Sequence, residues 1–308
     1  MPSSPAVAEQ ISRLELVVQR EAGRSIGPLA AAARGGLLAA AAAIAGDPAS
    51  HVAFVTGCFV PRATPPACET DGPVGAALAA ASLGLAGVPA RLVTDSRCAA
   101  VVRAAAEEAG AAAEEAGAAA AFAGAAPPVH VGDEPGTLAR ELSAAGVTHV
   151  VFVERLGPGA DGVVRNMHGD DVTAVTPPLH ALAAAGPWVT TGIGDGGNEV
   201  GMGALAPRLV AATVAHGERI RCAVACDHLI VAGISNWGAL ALALAVGLLR
   251  GAAASVAAVL SPAAHDAVLT AAVGAGAVDG VLGEPSATVD GLAPAQQRQQ
   301  LEALSACV

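Results

Sequence analysis

Short apolar runs and longer alanine-rich stretches take turns along most of this chain. Runs at 51–56, 90–94, 128–131, 148–153, 187–191 and 229–232 are compact and bounded by glycine, proline or aspartate. They predict buried strands. The stretches between them carry helical spacing: 11–46 with a break at Arg24-Ser25-Ile26-Gly27, then 74–87, the segment after Asp95, 135–145 and a helix near 179–185. A long helix running to Arg250 follows the turn 233–238, and the tail adds a strand and a helix with turns at 277–280 and 288–291. Four prolines in 58–73 exclude regular structure there.

Strands alternating with helices imply βαβ units, hence an α/β fold with a mainly parallel open sheet, Rossmann-like, with helices on both faces. No linker composition interrupts the alternation. The expected organisation is a helical N-terminal cap over 1–50 and a single α/β catalytic domain over 51–308. Residues 104–110 repeat as 111–117, which reads as a surface elaboration of one helix.

Composition narrows the function. Of 308 residues 54% are hydrophobic and 14% charged, as in a globular chain. Much of that hydrophobicity is alanine, so the mean hydropathy of +0.56 overstates membrane affinity. The longest apolar run, 239–249, falls short of the roughly 20 residues a spanning helix needs. The first ten residues lack a basic stretch followed by an apolar core, so no secretory leader is expected and a cytoplasmic location is. Net charge is −11, and all 16 basic residues are arginine. Without lysine there is no Schiff-base chemistry and no usual pyridoxal phosphate attachment. Without a basic tract, nucleic acid is not an expected partner, and neither is a membrane. Expected partners are a small-molecule substrate and, in a homo-oligomer, copies of the chain. The six cysteines show no paired spacing and read as reduced thiols.

Four polar clusters each follow a predicted strand: Glu69-Thr70-Asp71, Glu154-Arg155, Asp195 with Asn198-Glu199, and Ser235-Asn236-Trp237. In a parallel sheet the loops after strands gather on one edge, where ligands bind, so these clusters should converge. The third lies in a stretch from Thr191 to Gly203 with six glycines, including Gly194 and Gly196. It satisfies G-x-G-x-x-G at 192–197, but Asp195 would sit where a pyrophosphate must lie, and Gly201 and Gly203 break the helix that should follow. An acidic loop suits a cation or an ammonium group better. Asp71, Asp195, Glu199 and Asp227 offer hard oxygen ligands of the kind Mg²⁺ or Ca²⁺ takes, with Asp71, Asp195 and Asp227 the candidate set. The same carboxyls could act as a general base, or simply cap helices and turns. Arg155 has the fork for a carboxylate or for a salt bridge. Trp237 fits a pocket wall or the core, and His168 lies in a polar loop.

Taken together these segments resemble the D-glutamate cyclase family, specifically its C-terminal domain. The matching pieces are Thr56-Gly57 with 69–73, Glu154-Arg155 with Asp161-Gly162 and Asn166, the glycine stretch to Gly203, and 231–238. The resemblance covers about residues 24–292, and some members join this domain to another large one. It implies interconversion of D-glutamate and 5-oxo-D-proline with loss or gain of water. On that reading Asp71, Asp195 and Glu199 are the acids, Arg155 anchors an anion, and glycine-loop amides stabilise the oxyanion. Glu69, Thr70, Glu154, Asn166, Gly194, Gly196, Asn198, Ser235, Asn236 and Trp237 surround the substrate. Two competing readings use the same residues: a non-catalytic protein binding an acidic amino acid or a metal, and a Mg²⁺-assisted hydrolase of a lactam or phosphorylated small molecule.

Overall fold

The computed structural model describes residues 4–116 and 126–308. Three helices come first, α1 (Pro5–Val18), α2 (Gly27–Ala32) and α3 (Gly36–Gly46). After β1 (Val52–Thr56) come two short strands, β2 (Phe59–Val60) and β3 (Ala67–Cys68), then α4 (Pro73–Leu83), β4 (Ala90–Thr94) and α5 (Ala99–Glu115). The alternation continues with β5 (Val129–Val131), α6 (Pro135–Ala144) and β6 (His149–Val153). From β7 (Val189–Gly194) the chain passes through α7 (Pro207–Thr213) and α8 (Gly217–Ile220) to β8 (His228–Val231). Four helices follow: α9 (Ser235–Arg250), α10 (Ala253–Val259), α11 (Pro262–Gly274) and α12 (Pro294–Ser305).

Six strands form one sheet in the order β5-β4-β1-β6-β7-β8, every pair parallel. Chain order reverses between β1 and β6, which opens a crevice beyond their C-terminal ends. The strands are buried on both faces and divide their side chains by alternation. Phe54, Leu92, Val151 and Ile193 enter the core shared with α4 and α9, while Ala53, Val55, Val150 and Phe152 pack towards α6. The open α/β sheet with helices on both faces is therefore the observed architecture. Helix α9 is buried along its length from Ser235 to Gly247, so the apolar run at 239–249 is a central core helix, apolar all round because it is covered all round. No single helix among the described residues is long and apolar enough to cross a membrane, although α10 and α11, bent by 43°, would pass as a pair by length and composition.

The N-terminal helices join this core. Ile11, Leu14, Leu37 and Ile44 share it with Phe54 and Leu240. The short loop between α1 and α2, which carries Arg24, is thereby held near the strand ends. The backbone amide of Gly233 also donates to Val18 O across 2.7 Å.

Several local expectations are corrected. Residues 58–73 contain the antiparallel β2–β3 pair, because Pro61, Pro65 and Pro66 fall in the connection and leave Phe59 free to pair with Cys68. Strand β7 runs on to Gly194, so the glycine stretch begins inside the sheet. Ser235-Asn236-Trp237 is the first turn of α9, not a turn before it. The tail holds helices and isolated bridges at Val278 and Val289, with no further strand among the described residues. The segment 179–184 is a 3₁₀ helix. The repeat at 104–117 lies in α5 as far as Glu115, with Gly117 outside the described residues.

Candidate active site

Four neighbouring strands, β1, β6, β7 and β8, lead at their C-terminal ends to polar groups. Glu154 follows the last residue of β6 and Asp195 the last of β7, Ser235 opens α9 just beyond β8, and Glu69 to Asp71 lie between β3 and α4. Close backbone approach makes this possible. Gly72 adopts φ 91°, and a Cβ there would lie 2.6 Å from Thr56 Oγ1 and 2.9 Å from Glu154 Cβ. At Gly194 a Cβ would lie 2.9 Å from the Glu199 carboxyl, so glycine is what allows that side chain to fold back under the strand end.

Helices α4 and α9 exchange caps at their N-termini. The amides of Ser235 and Asn236 donate to Asp71 at 3.0 and 2.8 Å, while Asn236 Oδ1 accepts from Gly72 and Gly75 amides at 2.9 and 2.7 Å. Asn236 Nδ2 also donates to Thr70 O at 3.2 Å. These bonds fill the amides a helix start leaves open and set Asp71 against the positive end of α9. Ser235 Oγ donates to Glu154 Oε2 at 2.6 Å. Glu154 itself takes φ 47°, a left-handed conformation unusual for a side chain this large.

Arg24 binds the cluster together. Its guanidinium pairs with Asp195 and, at 2.9 Å, with Asp290. Four further carboxyls crowd the same space. Asp71, Asp195 and Asp290 present oxygens within 4.8 Å of one another, as do Glu154, Asp195 and Glu199, and Glu69 lies beside Asp71 and Asp290. Burial pushes Asp71 up to about 7, reinforced by Asp290. Burial also pushes Glu69 and Glu154 well above the usual carboxylate range, with Asp290 adding to the first and Glu199 to the second. Glu199 rises through burial as well. For Arg24, burial opposes the charge but the ring of carboxyls outweighs it and holds the group protonated. One carboxylate oxygen, Asp195 Oδ2, is fully buried without a hydrogen-bond partner.

A cavity of about 410 Å³ opens over this floor. Arg24, Glu69, Glu154, Asn166, His168 and Asn198 line it, while Asp71, Asp195 and Glu199 lie one layer below. Asn198 sends Nδ2 to Arg165 O at 2.9 Å and leaves Oδ1 unpartnered. Asn166 closes a turn by accepting from the His168 and Asp170 amides, both at 3.0 Å.

The structure separates five expectations from this convergence. Arg155 is 1% exposed and donates to Asp95 at 2.5 Å, Gly57 O at 2.7 Å and Pro177 O at 2.5 Å, so it ties loops together and is not free to anchor a ligand. Asp227 stands at the opposite, N-terminal end of the sheet, accepting from the Thr190 amide and hydroxyl at 2.8 and 2.7 Å, which removes it from any metal set with Asp71 and Asp195. Trp237 is core, its indole donating to Gln297 Oε1 at 2.8 Å. The glycine-loop amides are already taken: Gly196 and Gly197 donate to Glu199 at 2.6 and 2.7 Å, so they serve neither an oxyanion nor a phosphate. Thr70 is buried, with Oγ1 donating to Thr288 O at 2.9 Å.

Two members of the cluster, Arg24 and Asp290, were not singled out by sequence. Arg24 stands in a helix break 171 positions from Asp195. Asp290 stands in a turn, at φ 53°. Neither carries a motif. The only sequence clue is that a lone basic residue outside a helix in a strongly acidic chain needs a partner.

Comparison with known proteins comes to the same segments. The family model described as D-glutamate cyclase-like, C-terminal, matches residues 14–305. Human D-glutamate cyclase, named as mitochondrial, is 39% identical over 105 residues, which is 33% of this chain and 17% of that protein. Most of that relative's length therefore has no counterpart in the match, and its mitochondrial name differs from the cytoplasmic expectation for this chain.

Proposed function

The chain belongs to the D-glutamate cyclase-like C-terminal family, and from that premise we propose that this domain is a lyase interconverting D-glutamate and 5-oxo-D-proline with loss or gain of water. Ring closure joins the α-nitrogen to the γ-carboxyl carbon and expels one oxygen of that carboxyl as water, so two protons must pass from the nitrogen to that oxygen. Such a site needs carboxyls that still hold protons near neutral pH. Glu69 and Glu154 both line the cavity, and burial raises both. These two cavity-lining carboxyls are the observation that carries the reading. The ionised member takes a proton from the nitrogen while the protonated member gives one to the departing oxygen, and the titration belongs to the pair. Ser235 fixes the Glu154 carboxyl, and Arg24 supplies positive charge on the floor for a substrate carboxylate. Holding both ends of one molecule together contributes through orientation.

A divalent cation of the Mg²⁺ type fits the same floor. Asp71, Asp195 and Asp290 would hold it, and the unpartnered, buried Asp195 Oδ2 is the oxygen that lacks a use without it. There it would offset the negative charge gathered beneath the cavity.

The test is incubation of the purified chain with D-glutamate and, separately, with 5-oxo-D-proline, with and without Mg²⁺, followed by chiral chromatography. Conversion in either direction is expected. Binding seen as a thermal shift without any turnover would replace the reading by that of a binding protein.

A further inference from the structure

The cavity has two ends of different chemistry. Its floor gathers Glu69, Asp71, Glu154, Asp195, Glu199 and Asp290 around Arg24, whose nitrogens already engage Asp195 and Asp290. Its mouth carries an apolar group of Phe59, Val60, Pro61, Val281 and Leu282, with the exposed Arg62 and His168 at its rim. Val281 and Leu282 are 60% and 49% exposed, two of only three large apolar side chains left that open among the described residues. Exposed apolar groups rimmed by polar ones mark a contact surface.

These residues are also held still. Asp279, fully buried, accepts from the Val281 and Leu282 amides at 2.8 and 2.9 Å, from the Gly291 amide at 2.8 Å and from Thr288 Oγ1 at 2.6 Å. The Thr64 amide donates to Gly283 O at 2.8 Å, tying this loop to the β2–β3 connection. At Gly280 a Cβ would lie 2.1 Å from Glu69 Oε2, so the loop backbone is seated directly on the Glu69 carboxyl. On the other side Arg97 lies over the Phe59 ring, 5.3 Å from its centre. An apolar mouth fixed this firmly to the reacting groups is pre-organised for a ligand.

We propose, resting on the reading of the site given above, that its preferred substrate is a γ-D-glutamyl amide carrying an apolar substituent on the amide nitrogen, which the Val281–Leu282 mouth holds. Charge and shape agree on this. A free γ-carboxylate would enter a floor already crowded with carboxyls, whereas a γ-amide is neutral, and a cavity of this size lies in the range that takes ligands larger than a five-carbon amino acid. The α-nitrogen, once deprotonated, attacks the γ-carbonyl carbon. The bond to the amide nitrogen breaks, one proton passes from the attacking to the departing nitrogen by way of the cavity-lining Glu154 carboxyl, and the products are 5-oxo-D-proline and a free amine. No water and no oxidant take part.

The probes are γ-D-glutamyl anilide, read by release of aniline, and D-glutamate, read by chromatography, each with the wild type and with the Val281→Ser, Leu282→Ser double variant. The expected result is a kcat/KM for the anilide about tenfold or more above that for D-glutamate, and a fall in that ratio of about tenfold in the variant, as expected for losing a small apolar pocket. Melting curves confirm that both proteins fold. Turnover of D-glutamate with none of the anilide, or with no preference for it, overturns the inference and leaves the cyclase reading standing. An anilide preference unmoved by the double substitution overturns the assignment of the mouth. Turnover of neither overturns both.

Discussion

The two edges of the sheet are both rich in titratable groups, yet they treat them in opposite ways. At the N-terminal edge Asp227 is met by the Thr190 amide and hydroxyl, and these bonds pull its carboxyl below the usual range. Across the sheet, on β4, Arg91 bonds His51 at 3.0 Å and His130 at 2.8 Å, and burial holds His51 and His149 below the ordinary histidine value, uncharged. At the C-terminal edge the carboxyls outnumber their cations, burial pushes them up, and one oxygen has no partner. The first edge is resolved in favour of the fold. The second stays unresolved, as a site does whose groups are to meet a substrate.

Single substitutions should expose that contrast. Glu154→Gln removes a cavity-facing carboxyl that the fold has to hold at a cost; turnover of the preferred substrate is expected to fall by roughly 10²–10⁴-fold, while the melting temperature stays level or rises. Steady-state kinetics and a thermal melt on the same preparation check both halves. A large loss of stability with modest loss of rate would erase the distinction between the edges.

Arg24→Gln leaves Asp195 and Asp290 without their cation. Urea denaturation should show a loss of about 3–5 kcal/mol, the usual consequence of removing one partner of a buried pair. Millimolar Mg²⁺ should restore more stability to this variant than to the wild type, because the cation enters the place the guanidinium left. Equal response in both proteins would count against a cation on this floor.

Dependence on pH sharpens the comparison further. A carboxyl raised in the folded state binds its proton more tightly there than in the unfolded chain, so its contribution is full below the unfolded value and is lost as pH rises through the folded one. For Asp71 that window runs from its ordinary value of 3.8 to about 7. Stability should therefore decline by an amount on the order of a few kcal/mol between about pH 4 and pH 8, and Asp71→Asn should flatten the decline. Asp227 works in the other direction, its contribution fading as pH falls. The smallest effect is Asp227→Asn itself: about 0.5–1.5 kcal/mol from a weakened hydrogen bond, read by denaturation, with turnover unchanged.

Much of this was legible along the chain. The apolar runs that became β1, β4, β6 and β8 are buried, compact and bounded by turn residues, and a strand buried on both faces has few alternatives. Alternation with helices then fixes parallel pairing, and parallel pairing sends Glu69 to Asp71, Glu154, Asp195 and Ser235 to one edge. What stayed hidden depended on direction. Arg155 and Trp237 occupy the expected positions, but their side chains turn into the protein, towards Asp95 and Gln297. Asp227 precedes a strand instead of following one, which puts it on the far edge.

Sequence by itself determined the sheet, its burial, the family and the gathering of carboxyls at one edge, because each rests on local periodicity or on short strings of adjacent residues. Tertiary structure alone decided which cation answers them. Arg24 and Asp290 come from the two ends of the chain and meet Asp195 only because α1, α3 and α12 pack into the same core. No local pattern encodes such a meeting; it follows from how helices bury their apolar faces against a common sheet, and the loops between them go where that packing leaves them.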